Sequence, residues 1–232
     1  MKIGLFTDPH YSNKKASSNR LYSLSYNKIQ KAMAIFKENG VDLVICLGDL
    51  TDDCVNVNDN PKALKEISDM INSYGIKFYS LMGNHDCLSF AKEDFNTLTN
   101  GAYPPFKIEN DTAVLIFLDC NYNDNGEKYT AGDIDWTNAY LPSEQFEAMK
   151  KELKTNKEKY VFVHQNLDKD VEEHHIVHNA AEVRKALEEA SVKLVIQGHY
   201  HLGHDNQING VNYHTLPAMC EGEKNYFEII EI

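Results

Sequence analysis

The sequence predicts an α/β fold in which strands and helices alternate in the first half and strands dominate the second half. Three observations support this prediction: apolar runs of strand length recur, segments of helical periodicity separate the first three runs, and an Asn-Gly pair near the end separates two β-prone runs. Since 232 residues with 42% hydrophobic content suit one domain of ordinary size, we expect residues 1–232 to form a single domain.

The first half predicts three strands separated by two helices. The strands are the apolar runs KIGLF (2–6), DLVICL (42–47) and IKFYSLM (76–82). Residues 20–39 have helical periodicity, and Gly40 is expected to end that helix. Asn60 is expected to cap the second helix, with Pro61 at its first position.

The second half predicts further strands, two helices and a hairpin. The strands are PFKIEN and TAVLIFLD on either side of residues 110–111, KYVFVH (159–164), VKLVIQGH (192–199) and the final NYFEIIEI. Ser143 is expected to cap a helix that runs to about Leu153, and residues 180–190 predict another. Asn209 and Gly210 predict the hairpin turn.

The segment 121–142 is long for a loop in a compact domain, and loops of this length are usually lids, binding loops or disordered segments. Its aromatic residues are Tyr122, Tyr129, Trp136 and Tyr140. Aromatic residues disfavour disorder, so we expect a packed lid.

The charge and cysteine content restrict the classes of partner and compartment. With 23 basic and 35 acidic residues the net charge is −12, so we expect no binding of long nucleic acid. The five cysteines are scattered without a CxxC pair, which favours free thiols in a reducing compartment. Because the sequence opens with a strand-like run, we expect no signal peptide. No apolar run approaches the ~20 residues that span a bilayer. We therefore expect a cytoplasmic protein without a membrane partner.

Polar residues of metal-ligand type follow the predicted strands directly. They are Asp8, His10, Asp49, Asn84, His85, Asp86, His164, His199 and His201. Because ligands bind at the carboxyl ends of strands in α/β sheets, these side chains should converge. One such motif alone is usually a turn or a cap, but the full set indicates a site. Carboxylates, imidazoles and one amide suit Mn, Fe or Zn, and two neighbouring metals are typical of displacement at phosphorus.

The five motifs DPH, GDLTDD, GNHD, VHQ and GHYH, in this order, resemble those of the calcineurin-like metallophosphoesterase family. The resemblance covers residues 1 to about 218 and implies a four-layer αββα sandwich of two mixed sheets, with a dinuclear metal site at the strand ends. The segments around 132–153 and 210–232 look closest to a bacterial clade near the manganese-dependent ADP-ribose/CDP-alcohol diphosphatases and the class III cyclic-nucleotide phosphodiesterases. One departure is that Gln165 and Asn166 follow His164, where many relatives have a proline.

The resemblance also implies roles for individual residues. It divides the metal ligands between two divalent or trivalent ions: Asp8, His10 and His201 on the first, Asn84, His164 and His199 on the second, and Asp49 bridging both. His85 faces the substrate as leaving-group acid or phosphate stabiliser. Asp86, Asp52 and Asp119 are expected to support the ligands, although Asp52 and Asp119 could equally be plain surface or turn carboxylates.

The function implied by the resemblance is hydrolysis of a phosphodiester, phosphoanhydride or phosphomonoester by a hydroxide that bridges the two metals. The substrate is expected to be small and nucleotide-like. Arg20 is either a phosphate contact or a solvated charge, and Tyr122 and Trp136 either stack on a base or pin the loop. His174, His175 and His178 either line the pocket, add a loose metal site or are polar loop residues.

Three alternative functions remain at this stage. A nuclease is disfavoured by the acidic charge. A protein phosphatase is disfavoured by the short chain, and a catalytically silent binding relative by the complete set of ligands.

Overall fold

Ten strands form two mixed sheets in the part of the chain that the structure, a computed structural model, describes: residues 1–130, 132 and 134–232. The smaller sheet has the spatial order β10 (Glu228–Glu231), β1 (Lys2–Phe6), β2 (Leu43–Cys46) and β3 (Lys77–Ser80). The larger sheet has the order β4 (Lys107–Glu109), β5 (Ala113–Leu118), β6 (Glu158–Val163), β7 (Leu194–Gln197), β9 (Val211–Thr215) and β8 (His204–Ile208). The central strands of each sheet are parallel, and β10, β4 and β8 pair antiparallel at the edges.

The helices cover the outer faces of the two sheets. They are α1 (Ser25–Glu38), α2 (Asn60–Asn72), α3 (Asn84–Ser89), α4 (Lys92–Leu98), α5 (Ser143–Glu152) and α6 (Ala180–Glu189). Met33 of α1 and Ile67 of α2 pack in one core with Val44 of the smaller sheet. Met149 of α5 and Val183 of α6 pack in a second core with strands of the larger sheet.

A third core lies between the two sheets and joins them. Leu5 and Ile45 of the smaller sheet meet Leu115 and Phe162 of the larger sheet there, and all four are essentially inaccessible to solvent. Burial of each such side chain contributes about 1.5–3 kcal/mol. The layers are thus helix, sheet, sheet and helix, which confirms the expected αββα sandwich.

The predicted hairpin is present with the expected turn. Ile208 of β8 pairs with Val211 of β9, and the two residues between them form the turn. Asn209 has φ 49° and Gly210 has φ 88°. A two-residue turn of this type needs positive φ at both positions, which asparagine and glycine tolerate best.

Three helix starts differ from the sequence prediction. The helix expected from residue 20 begins at Ser25, because the preceding segment pairs with the C-terminal loop, where Leu21 N donates to Cys220 O at 2.9 Å. Asn60 is the first residue of α2 and caps nothing; its side-chain oxygen accepts from Cys54 N at 2.7 Å. Ser143 likewise lies inside α5 and makes no capping bond. The short helices α3 and α4 were not predicted.

Tyr129 of the segment 121–142 is buried and packs in the same core as Met33 and Ile67. Its hydroxyl donates to Asp135 O, within the segment itself, at 3.0 Å. Residues 131 and 133 of the expected lid lie outside the described residues. All five cysteines are free and buried. Within the described part of the chain, none of the helices combines the length and apolar character needed to cross a bilayer.

Candidate metal centre

Four of the expected metal ligands lie just after strands in a backbone conformation that is strained for residues with a side chain. Asp8, His10, Asp49 and His199 have φ of 49°, 47°, 51° and 66°. Each such residue costs of order 1–3 kcal/mol, and such residues cluster at functional sites. The strands hold this geometry through backbone bonds: Asp8 N donates to Gly48 O at 3.1 Å, and His10 N to Asp49 O at 3.0 Å.

Two glycines let the ends of β2 and β3 approach each other. A Cβ at Gly83 would collide with the side chain and backbone nitrogen of Asp49, and a Cβ at Gly48 would collide with the ring of His164. Gly48 also has φ 119°, which glycine alone adopts without strain. Glycine at these positions is therefore what brings Asp49 into the middle of the site.

The seven expected ligands converge around Asp49. Its Oδ2 lies 3.5 Å from His10 Nε2 and 3.6 Å from His164 Nε2. Among the ligands expected for the first metal, His201 Nε2 lies 3.5 Å from Asp8 Oδ1. Among those expected for the second metal, His164 Nε2 lies 3.3 Å from Asn84 Oδ1. Two groups with metal-binding spacing both include Asp49: Asp8, His10 and Asp49, and Asp49, His164 and His199.

The residues present fit a pair of metal ions. Asp8 Oδ1 and His199 Nε2 are buried and have no hydrogen-bond partner among the described residues. A buried polar atom without a partner costs about 1–3 kcal/mol, and a metal ion beside each of these two atoms would supply the missing partner. The nitrogen and oxygen donors suit Mn, Fe or Zn. Asp49 belongs to both groups.

The electrostatics of the cluster favour positive charge within it. Burial opposes ionisation of Asp8 and Asp49, but the surrounding imidazoles outweigh it and hold the pKa of both carboxyls below their usual range. Burial would lower the pKa of His164, but attraction to Asp49 raises it to about 9. Bound metals would take the place of such protons, because imidazole must be neutral to be a ligand.

Hydrogen bonds from outside the cluster orient the ligands. His201 Nδ1 lies 2.8 Å from Glu221 Oε1, and His164 Nδ1 lies 2.9 Å from Leu47 O. Such bonds fix the ring orientation and leave the other nitrogen for a metal. Asp86, at the start of α3, accepts from the backbone nitrogens of residues 50, 51 and 83 and so ties the ends of β2 and β3 together.

Asp52 connects the expected catalytic histidine to the metal ligands. Its Oδ2 lies 3.3 Å from both His10 Nδ1 and His85 Nδ1, and Lys14 Nζ donates to its Oδ1 at 2.9 Å. The backbone nitrogen of His85 donates to Asp49 Oδ1 at 2.8 Å. Burial would lower the pKa of His85, but Asp49 and Asp52 outweigh it and raise that pKa.

A cavity of about 360 Å³ opens over this cluster. Its lining includes Arg20, His85, Trp136, His175 and Tyr200. The Trp136 ring lies 5.6 Å from the His199 ring and 5.5 Å from the His175 ring, between centroids. Burial and the neighbouring His174 lower the pKa of His175 to about 4.

Asp119 and Tyr122 are not brought to this site, contrary to the sequence expectation. Both line a second cavity, where Asp119 Oδ2 accepts from Tyr103 at 3.1 Å and Oδ1 accepts from Asn121 N at 3.1 Å. After β5 the side chain of Asn121 donates to Met82 O at 2.8 Å. Asp119 and Tyr122 therefore follow a strand, as the expected ligands do, but they face the second cavity.

Sequence reasoning missed Glu221 and the pairing of Lys14 with Asp52. Glu221 lies 20 positions from His201, and Lys14 lies 38 positions from Asp52. No spacing rule relates them, because the contacts arise only from tertiary structure.

Gln165 and Asn166, which follow His164 where many relatives have a proline, hold their loop in place through hydrogen bonds. Gln165 donates to Asn121 Oδ1 at 2.7 Å, and Asn166 donates to Gly198 O at 2.8 Å.

The comparisons with known proteins concern both the sequence and the fold. The family model of the calcineurin-like phosphoesterases matches residues 1–203. A dimetal phosphatase from Danio rerio is similar in structure with a TM-score of 0.83 at 16% identity, over 98% of this chain and 91% of that one. TT1561 of Thermus thermophilus has a TM-score of 0.64 at 12% identity, over 99% and 98%. Phosphopantetheinyl hydrolase from Mycobacterium tuberculosis has 0.54 at 12%, over 94% and 89%. No curated protein matches the chain.

Proposed function

Because the chain belongs to the calcineurin-like phosphoesterase family and is a metal-dependent phosphoesterase, we propose that it hydrolyses a phosphodiester, phosphoanhydride or phosphomonoester of a small, nucleotide-like substrate. The single observation that supports the proposal most is the convergence of six buried or half-buried donors on a seventh, Asp49, with His85 and Arg20 on the wall of the cavity above them. The cavity of about 360 Å³ is of a size that suits a small ligand.

The residues that would hold the metals are the seven expected ligands. Asp8, His10 and His201 belong to the first ion, Asn84, His164 and His199 to the second, and Asp49 to both. When bound, two such ions would supply activation of water at neutral pH and neutralisation of charge on the phosphoryl oxygens.

We assign to His85 the proton transfer to the leaving oxygen. Its side chain is 26% exposed on the cavity wall. Because Nδ1 is buried 3.3 Å from Asp52 Oδ2, Nε2 is the nitrogen that remains for the substrate. Asp49 and Asp52 raise the pKa of His85, which favours the protonated form that a general acid needs.

Arg20 and Trp136, which both line the cavity, are proposed to bind the substrate. The guanidinium of Arg20 presents a planar set of donors that matches phosphate oxygens. Trp136 offers an aromatic face or edge to a planar group, and such contacts contribute about 0.5–1.5 kcal/mol. Together they favour a phosphate ester that carries an aromatic base.

The test is an assay of metal-free protein with bis-p-nitrophenyl phosphate and p-nitrophenyl phosphate, to which Mn, Fe, Zn or Mg is added back. We expect metal-dependent turnover that disappears in Asp49→Asn, and a KM for a nucleoside phosphate ester that rises about 2–10-fold in Trp136→Ala. Failure of every metal to restore turnover of either ester, with metal bound, would contradict the proposal.

A further inference from the structure

A second group of metal-type donors lies at the rim of the same cavity, outside the seven expected ligands. It consists of Glu172, His174 and His175, within a loop after β6 that contains one short helical turn. Glu172 and His175 line the cavity that holds the candidate metal centre. His175 N donates to Glu172 O at 2.9 Å within this turn, and the donor atoms of the three side chains all lie within 4.8 Å of one another.

The spacing of these donors resembles that of the candidate metal centre. Glu172 Oε2 lies 3.3 Å from His174 Nε2 and 3.9 Å from His175 Nδ1. The corresponding distances from Asp49 to its two nearest imidazoles are 3.5 Å and 3.6 Å. His175 Nδ1 is buried and has no hydrogen-bond partner among the residues that the structure describes. A cation between the three side chains would provide that missing partner.

We propose that Glu172, His174 and His175 form a third divalent-metal site, separate from the dinuclear centre and selective for Zn²⁺ or Mn²⁺ over Mg²⁺ or Ca²⁺. Two imidazoles and one carboxylate are a donor set typical of transition metals. Glu172 and His174 are about half exposed, so the site is open and binds more weakly than the buried centre. The two sites are neighbours, since the His175 ring lies 5.0 Å from the His199 ring. Trp136 contacts both, with its ring 5.3 Å from the His174 ring and 5.6 Å from the His199 ring.

A cation at this rim would face the part of the cavity that lies beyond the reacting phosphate. It would attract a second anionic group of the substrate, such as the second phosphate of a phosphoanhydride. This consequence rests on the proposed function, whereas the metal site itself does not, since its donors are complete without a substrate.

The experiment counts metal ions per chain after equilibrium dialysis of the whole protein against Zn²⁺ and, separately, Mn²⁺. Glu172→Gln with His174→Asn removes two donors of the rim site. Glu173→Gln with His178→Asn makes the same chemical changes in the same loop, and neither residue belongs to the cluster. Circular dichroism and thermal unfolding confirm that both double variants remain folded.

We expect the wild type and the control to bind three ions per chain and the rim variant to bind two. Asp49→Asn should lose ions from the dinuclear centre and retain the one at the rim. Equal counts in the wild type and the rim variant would overturn the proposal. A protein that binds three ions and hydrolyses neither test ester would contradict the proposed function alone, so the two failures are distinguishable.

Discussion

Two cavities of equal volume, about 360 Å³ each, lie near the ends of the strands, and they differ in how their polar groups are satisfied. The first opens over the cluster around Asp49, where Asp8 Oδ1 and His199 Nε2 are buried without a hydrogen-bond partner. In the second, Tyr103 and Asp119 pair with each other at 3.1 Å, and Lys92 Nζ lies 3.9 Å from the centre of the Tyr103 ring.

Because the two cavities are equal in volume, size alone does not identify the functional site in this fold. Buried polar groups are normally paired, and groups that are not require an ion, a water or a chemical role to explain them. In the second cavity Asp119 is paired with Tyr103 and Asn121, whereas in the first cavity Asp8 Oδ1 and His199 Nε2 have no such partner among the described residues. Substitutions in the two cavities should therefore affect different properties.

The largest contrast is expected between Asp49→Asn and Asp119→Asn, the same change in the two cavities. Asp49→Asn should lower kcat/KM for bis-p-nitrophenyl phosphate by at least about 10³-fold, because a preorganised charge at the reacting centre is lost. Asp119→Asn should leave kcat/KM unchanged. Steady-state kinetics with excess Mn²⁺ measure both, and comparable losses in the two variants would erase the distinction between the cavities.

The second largest effect is expected for His85→Asn, and it should depend on the leaving group. An alkyl leaving group needs a proton, so its hydrolysis should slow by about 10²–10³-fold. A p-nitrophenolate leaves without one, and its ester should be affected far less. The ratio of the two rates in the wild type and the variant measures this, and an identical loss for both esters would exclude His85 as the leaving-group acid.

Asp52→Asn should have an intermediate effect, about 10–100-fold on kcat/KM, because it supports His10 and His85 without contacting the reacting atoms. Lys14→Gln removes only the outer partner of Asp52 and should cost less. Steady-state kinetics and metal content of the two variants test whether the loss in kcat/KM is larger for Asp52→Asn than for Lys14→Gln. A larger loss in Lys14→Gln would place the lysine, not the carboxylate, at the substrate.

In the second cavity, Tyr103→Phe should lower stability without changing catalysis. It removes the hydroxyl that donates to Asp119, and we expect a loss of about 1 kcal/mol in the free energy of unfolding. Urea unfolding with kcat/KM in parallel measures the two properties. A change in kcat/KM with unaltered stability would mean that the second cavity takes part in the reaction.

Away from both cavities, His214 should give a small pH dependence of stability. Hydrogen bonds to Glu228 and, despite partial burial, to Asp205 raise its pKa to about 9. Because the folded pKa exceeds the ordinary 6.5, this stabilisation is complete below about pH 6.5 and lost as pH rises through about 9. The melting temperatures of wild type and His214→Gln should differ at pH 6 and converge near pH 10. A difference in melting temperature that stays constant from pH 6 to pH 10 would exclude titration of His214 as its cause.

The sequence predicted the strands, and it predicted that the expected ligands lie close together, for one physical reason. Each ligand directly follows an apolar run, and the ends of such runs meet at one edge of a sheet. The same rule also selected Asp119 after β5, which shows its limit, since the direction of the chain after the strand decides the outcome. The helices α3 and α4 have six and seven residues, too few for a helical periodicity to appear.

Contacts between distant segments were beyond sequence reasoning. Glu221 reaches His201 because the C-terminal loop runs beside the end of β1, where Met219 N donates to Thr7 O at 2.9 Å. The rim cluster of Glu172, His174 and His175 was visible as a polar loop, but its position beside Trp136 depends on the path of a segment more than 30 residues earlier in the chain.

The most direct test of the central assignment is the position of metal ions in crystals of the protein soaked in Mn²⁺, located by anomalous diffraction. We predict two peaks on either side of Asp49, one beside Asp8 and His10 and the other beside His164 and His199. No peak at these donors, in crystals of protein whose ester hydrolysis depends on Mn²⁺, would contradict the assignment.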